Sequence, residues 1–218
     1  MKTLYFLTNC YSKIESLVHP LIGDKINIRV IKDIEDLIDC SKDISGDNIL
    51  FSFSHNIIVP PFILDKVQTA INVHPGPPDF PGRDAQHFAL YHGITKFGAT
   101  LHKMTEKVDS GDILDIELFS FNETISPTEL AHLANLAAYK LIYRNLPKII
   151  GGEILSPLPI KWGKTKTSRK MFNEMCVLDS NMSKEEMEKR IRIFHVTGYQ
   201  NIRININGHW FLYSGDSL

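Results

Sequence analysis

Short apolar runs recur at regular intervals through the first part of the chain, and no other feature of the sequence constrains the fold as strongly. Leu4 to Leu7 is the first. Ile26-Asn27-Ile28-Arg29-Val30-Ile31 alternates with a period of two, and Ile49 to Phe53 ends at the polar stretch Ser54-His55-Asn56. Runs of this length suit strands, while Asp33 to Cys40 between them places Ile34, Leu37 and Ile38 at helical spacing. Pro60-Pro61 suits the first turn of a helix through Val67, because proline has no amide hydrogen to lose there. A fourth strand is expected at Ala70 to His74. Strand, loop or helix, strand, helix, strand is the rhythm of a parallel sheet with its crossovers.

Downstream, Pro75-Gly76-Pro77-Pro78-Asp79-Phe80-Pro81-Gly82 is a loop stiffened by proline and bent at glycine. Asp84 to Tyr91 reads as a helix. Ala99 to Lys103 and Ile113 to Phe121 read as strands around the polar turn Thr105 to Asp112. Ser126-Pro127-Thr128-Glu129 has the residue order of a capping box, opening a helix through about Ile150 with Leu130, Leu133, Leu136, Ala137 and Leu141 on one face. Gly151-Gly152 followed by Pro157 and Pro159 marks a boundary. It divides the chain into a main domain at 1–155 and a small C-terminal subdomain at 156–218. In the latter, Met171, Phe172, Met175 and Leu178 read as a core helix face, a second capping box opens at Ser183, and Ile206-Asn207-Gly208 signals a hairpin. The expected fold is α/β: a Rossmann-like, open, mostly parallel sheet with a C-terminal helix-plus-β-hairpin appendage.

Bulk properties narrow the function classes. With 24 Lys+Arg against 25 Asp+Glu the net charge is -1, which disfavours a nucleic-acid partner bound through a global positive field. The three cysteines, Cys10, Cys40 and Cys176, are widely spaced and show no CxxC pairing, as in a reduced cytosolic protein. The apolar run near Met1 is too short for a secretory signal. No stretch approaches the roughly 20 apolar residues of a membrane span, so a cytoplasmic protein without membrane attachment is expected.

Asn72-Val73-His74 ends the fourth expected strand, and period-two alternation puts Asn72 and His74 on one face at the sheet edge where such folds hold ligands. An amide that donates to a developing oxyanion and an imidazole that relays a proton together suit addition to a carbonyl. A solvated polar strand end has the same spacing. Asp109, in the turn Val108-Asp109-Ser110-Gly111, is a carboxylate able to orient an imidazole, although Asp-Gly turns are commonplace on surfaces.

Ile71-Asn72-Val73-His74-Pro75-Gly76, then Gly98-Ala99-Thr100-Leu101-His102-Lys103-Met104, then Val108-Asp109-Ser110-Gly111-Asp112-Ile113-Leu114 resemble the signature blocks of the folate-dependent formyltransferases. That resemblance implies the formyltransferase fold and transfer of a formyl group from 10-formyltetrahydrofolate to an amine, with no metal. It casts Asn72, His74 and Asp109 as the catalytic set, with Asn72 and a protonated His74 stabilising the tetrahedral oxyanion. It also implies a folate wall at Asn56, Ile57, Ile58 and Pro60, faced by Lys107 and Val108. His102 reads as a strand residue supporting the site. Two departures stand out: Gly76 occupies a position where many members have Ser, and Pro77-Pro78 replace a pair of leucines.

The acceptor is read from what flanks the blocks. Leu7-Thr8-Asn9-Cys10-Tyr11-Ser12 lacks the glycine-rich phosphate loop of glycinamide ribonucleotide enzymes, and the residues after about 160 are too few for the C-terminal barrel of methionyl-tRNA enzymes. The tail is similar to that of nucleotide-sugar N-formyltransferases, implying a nucleotide-linked amino-dideoxy sugar for surface polysaccharide, O-antigen included, and a homodimer. Arg83, Trp162 and Lys164 are the residues expected to meet that substrate. A formyltetrahydrofolate hydrolase is the alternative of a different class.

Overall fold

The computed structural model describes residues 2–23 and 26–215. Strand β1 (Thr3–Leu7) is followed by α1 (Tyr11–Ile22), β2 (Asn27–Ile31), α2 (Ile34–Cys40), β3 (Ile49–Phe53), α3 (Pro61–Leu64) and β4 (Thr69–His74). After these come α4 (Ala85–Tyr91), β5 (Lys96–Lys103), β6 (Ile113–Ser120) and the long α5 (Pro127–Ile150). The six strands form one sheet in the order β2-β1-β3-β4-β5-β6. The first four run parallel, whereas β5 pairs antiparallel with β4 and β6 antiparallel with β5. β1 therefore lies between the strands that follow it, and its exit is the point where the crossovers diverge and a crevice opens.

Alternation along the strands accounts for the two layers. Leu4 and Phe6 of β1 join Phe51, Phe53, Ile71 and Val73 beneath Ala138, Leu141 and Ile142 of α5, while Tyr5, Leu7 and Leu50 face Leu37 of α2 and Ile63 of α3. Both sets are buried. The Ser126–Glu129 capping box forms as expected, the Ser hydroxyl accepting from the Glu129 amide and the Glu129 carboxylate from the Ser126 amide.

Beyond residue 155 the chain forms α6 (Arg169–Met175), β7 (Val177–Leu178), α7 (Lys184–Phe194), β8 (Arg203–Ile206) and β9 (His209–Leu212). β8 and β9 are the expected hairpin. Asn207 and Gly208 at its turn both have positive φ, at 51° and 87°, as a two-residue I′-type connection requires. The structure goes further than a helix plus hairpin: β7 pairs parallel with β8, so the hairpin is part of a three-stranded sheet. Leu178 consequently lies on β7 rather than on a helix, still buried. α3 ends at Leu64, short of Val67, because only four residues then remain before β4 must begin.

This C-terminal part shares its core with the main sheet. Phe172 and Phe194 pack with Phe88 of α4, Phe97 of β5 and Leu130 of α5, and the Phe194 ring lies 5.5 Å from both Phe88 and Phe172. Among the described residues, no helix is long and apolar enough to cross a membrane.

Candidate active site

Asn72 and His74 share one face of β4 because Val73 between them points into the core, where it is buried. Antiparallel register sets Asn72 directly opposite His102 of β5, and Asn72 Nδ2 lies 3.0 Å from His102 Nε2. On the other ring nitrogen, His102 Nδ1 is 2.8 Å from the Lys103 carbonyl, which only an N–H can satisfy. The tautomer protonated at Nδ1 meets both contacts, Asn72 donating one amide hydrogen to His102 and keeping the other for a ligand, whereas a hydrogen on Nε2 as well would turn that nitrogen to the Asp109 carboxylate 3.3 Å away.

Asp109 arrives from the loop joining β5 to β6, in a left-handed conformation with φ of 44°. The loop closes tightly there: a Cβ on Gly111 would sit 2.1 Å from the Lys103 carbonyl oxygen. Its carboxylate reaches both imidazoles, with Oδ2 3.4 Å from His74 Nδ1 and Oδ1 3.3 Å from His102 Nε2, and Oδ2 accepts the Gly82 amide at 2.8 Å. Burial alone would raise the Asp109 pKa. His74, His102 and the Gly82 N–H together outweigh burial and hold it at about 2.

His74 is pulled in both directions. Burial is the larger influence and lowers its pKa, against Asp109 on Nδ1 and the Phe80 carbonyl 2.9 Å from Nε2. Both neighbours are acceptors, so each ring nitrogen needs a hydrogen to satisfy its contact, and burial is what opposes the charge that this brings. Gly76 explains its own departure from the family pattern: a Cβ there would lie 2.4 Å from His74 Nε2.

The site opens into a cleft of about 490 Å³. Asn56, Ile57, Ile58, Lys107 and Val108 line it, as do Arg83, Asp84 and Gln86 at its rim in the chain after Gly82. Ile58 is 62% exposed and Val108 40%, so two apolar side chains of the lining stand in solvent. Pro60, Trp162 and Lys164 do not line this cleft.

Trp162 instead lies against the two imidazoles, its ring 4.9 Å from His102 and 5.9 Å from His74, with its indole N–H donated to the Gly111 carbonyl at 2.8 Å. Lys164 is exposed. The stretch around them is a strap. Gly163 donates to the Pro78 carbonyl and Thr167 to that of Pro81, while Arg83 donates back to Thr167. Arg169 pairs with Asp84 at 3.2 Å, and the second Asp84 carboxylate oxygen is buried with no partner among the described residues. Sequence reasoning assigned His102 a supporting place but missed Gly82, the Phe80 carbonyl and the strap. His102 alone had a usable signal, its period-two spacing from Thr100.

A family profile described as Formyl transferase matches residues 32–143, just over half of the chain. The methionyl-tRNA formyltransferase of Geobacillus thermodenitrificans is 31% identical over 140 residues, which cover 63% of this chain and 44% of that protein. The chain thus spans less than half the length of the first curated relatives it matches. Among solved structures, a 4-N formyltransferase from Francisella tularensis superposes with a TM-score of 0.78 at 18% identity, over 97% of this chain and 96% of that one. An N-formyltransferase from Helicobacter canadensis, in complex with folinic acid and dTDP-3-aminofucose, gives 0.68 at 18% identity over 95% and 85%. A methionyl-tRNA formyltransferase chain from Clostridium thermocellum gives 0.66 at 17% over 98% and 97%.

Two outcomes test this geometry. Gly76→Ala leaves the fold intact but moves the His74 imidazole off the Phe80 carbonyl. Turnover should fall by about 10- to 100-fold, the usual consequence of displacing a catalytic group by an ångström, while thermal unfolding changes little. Unchanged turnover would mean that the observed ring position is not the working one.

Asp109 ionises at about 2 in the folded protein against an ordinary 3.8, so its contribution to stability is complete above 3.8 and lost as the pH falls through 2. His74 acts in the same sense higher up: burial lowers the folded ring's pKa below the ordinary 6.5 of the unfolded one, so stability falls as the pH drops below 6.5. In urea unfolding, Asp109→Asn should be less stable than the parent at pH 7 by on the order of 2 kcal/mol, the gap narrowing to about half by pH 3. A gap independent of pH would assign the loss to packing rather than to the carboxylate's charge.

Proposed function

The chain belongs to the formyl transferase family, and on that premise we propose that it transfers a formyl group from 10-formyltetrahydrofolate to the amine of a nucleotide-linked amino-dideoxy sugar destined for surface polysaccharide. The observation that carries the reading is the Asn72–His74–Asp109 cluster in a cleft whose lining includes two exposed apolar side chains, Ile58 and Val108. Those side chains suit the flat pterin. The rim of Arg83, Asp84 and Gln86 offers charge and hydrogen bonds to a polar acceptor.

In the proposed reaction the amine's lone pair forms a bond to the formyl carbon as the carbonyl pair moves onto oxygen. The Asn72 hydrogen left free by His102 stabilises that oxyanion. His74 in its neutral form takes the proton shed by the amine and gains Asp109 as its counter-ion. The proton then goes to the folate nitrogen as the carbon–nitrogen bond to it breaks. No step here requires a metal, and among the described residues no group of three or more His, Cys, Asp or Glu is arranged to hold one.

The sugar acceptor is favoured by the Helicobacter canadensis structure, in which a chain of this fold holds dTDP-3-aminofucose beside folinic acid. The Geobacillus thermodenitrificans match favours methionyl-tRNA as the second reading, although a net charge of -1 suits a small molecule better. We read residues 1–155 as the catalytic unit and 156–218 as the subdomain that braces it, in a cytoplasmic homodimer. Trp210, Phe211 and Leu212, each more than half exposed on the edge strand β9, supply the apolar contact for a second copy. Light scattering at working concentration should return twice the chain mass, and a monomer would remove that part.

A mass-spectrometric assay with 10-formyltetrahydrofolate, a panel of nucleotide-linked 3-amino and 4-amino sugars, methionyl-tRNA, glycinamide ribonucleotide and a control without amine tests the acceptor. A nucleotide sugar heavier by one formyl group is the expected product. Formate released in the control, with no formylated amine, would point to a hydrolase instead. Asn72→Ala should cost about 100-fold or more in kcat with little change in folate binding.

A further inference from the structure

We propose that His55 is a positioning residue whose imidazole holds the Asn56–Val59 wall in the shape that receives the folate. The inference rests on reading that wall as the folate side of the cleft. β3 ends at Phe53, and Ser54 follows in a left-handed conformation, φ 53°, its carbonyl accepting the Asn9 amide at 3.3 Å from the exit of β1. This turn sends the next side chain back across the top of β1 toward β2. There His55 Nε2 lies 3.1 Å from the Lys32 carbonyl at the exit of β2, and His55 Nδ1 lies 3.0 Å from the Ile57 amide nitrogen.

Both contacts fix the ring's chemistry. A carbonyl can only accept, so Nε2 carries the hydrogen; an amide can only donate, so Nδ1 is bare. One neutral tautomer bridges a neighbouring strand exit and the wall itself. The Ile57 contact has the geometry of an Asx-turn, a side-chain acceptor taking the amide two residues on, with imidazole in place of a carboxamide. The far end of the wall is anchored by Val59, which is buried against the α2–α3 layer. Between the two anchors Ile58 projects into solvent at 62% exposure. Without the His55 bridge, one end of that segment is free, and the ligand would have to order it on binding. Neither Asn72, His74 nor Asp109 touches His55, so its influence belongs to the co-substrate's affinity and not to the bond-making step.

The test compares His55→Ala, which loses both contacts, with His55→Asn, whose Oδ1 replaces Nδ1 as the acceptor for the Ile57 amide. Calorimetric titration with 5-formyltetrahydrofolate should show binding weakened about 5- to 20-fold in His55→Ala, the scale of one lost hydrogen bond plus local ordering, and restored to within about threefold in His55→Asn. In turnover, the KM for the formyl donor should follow binding while kcat at saturation falls by less. Equal weakening in the two variants, unchanged binding in His55→Ala, or a loss confined to kcat would each overturn the proposal. Hydrogen exchange separates it from the folate reading: in the ligand-free protein the Ile57 amide should exchange faster in His55→Ala and be protected again in His55→Asn. A parent protein that fails to bind 5-formyltetrahydrofolate yet shows that exchange pattern would sink the folate assignment and leave the clamp standing. Equal exchange in all three would sink the clamp.

Discussion

Asp109 is a carboxylate buried to 6% exposure, and burying an unpaired charge costs more than a fold of this size can absorb. Its partners come from three separate pieces of chain: His74 from the end of β4, His102 from β5, and the Gly82 amide from the loop after β4. Each must be held in place by something else. β4 and β5 are held by sheet register, which is strict because one slipped residue would send Asn72 and His74 to the core face. The Pro75 to Arg83 loop has no such ladder. It is held by the strap, through hydrogen bonds from Gly163 and Thr167 and a close approach at which a Cβ on Gly82 would lie 2.0 Å from the Thr167 carbonyl oxygen.

Much of the scaffold was legible because its signals are local. Short apolar runs located β1 and β3 and a period-two run located β2, the Ser126 capping box located the start of α5, and Asn207-Gly208 located the hairpin turn. Asn72 and His74 were visible for the same reason, lying two apart on one strand. What escaped was carried by backbone. The Gly82 N–H and the Phe80 carbonyl exist at every position of every chain, so residue identity does not mark the ones that matter. Trp162 shows the opposite error. An aromatic among lysines resembles a platform for a base, but its indole N–H is taken by Gly111 and its ring by the two imidazoles. Leu178 failed through period, since a short strand following directly on a helix continued an apolar pattern that looked helical.

The two sides of the cleft differ in how they are built. The Asn56–Val59 wall is a short segment pinned at both ends, with its apolar side chain already in place. The rim is polar, and the partnerless oxygen of Asp84 beside Arg83 and Gln86 leaves hydrogen-bonding capacity unspent.

The strap also determines when the site comes into being. The Thr167 hydroxyl meets the Pro81 carbonyl across 86 residues of chain, a separation that a growing polypeptide bridges only after its central helix has been made. On the ribosome, β1 to β4 can pair and bury the face beneath α2 and α3 well before that, but the loop that supplies Gly82 to Asp109 stays unanchored until the strap emerges. A chain interrupted during synthesis would therefore hold a sheet without a finished pocket.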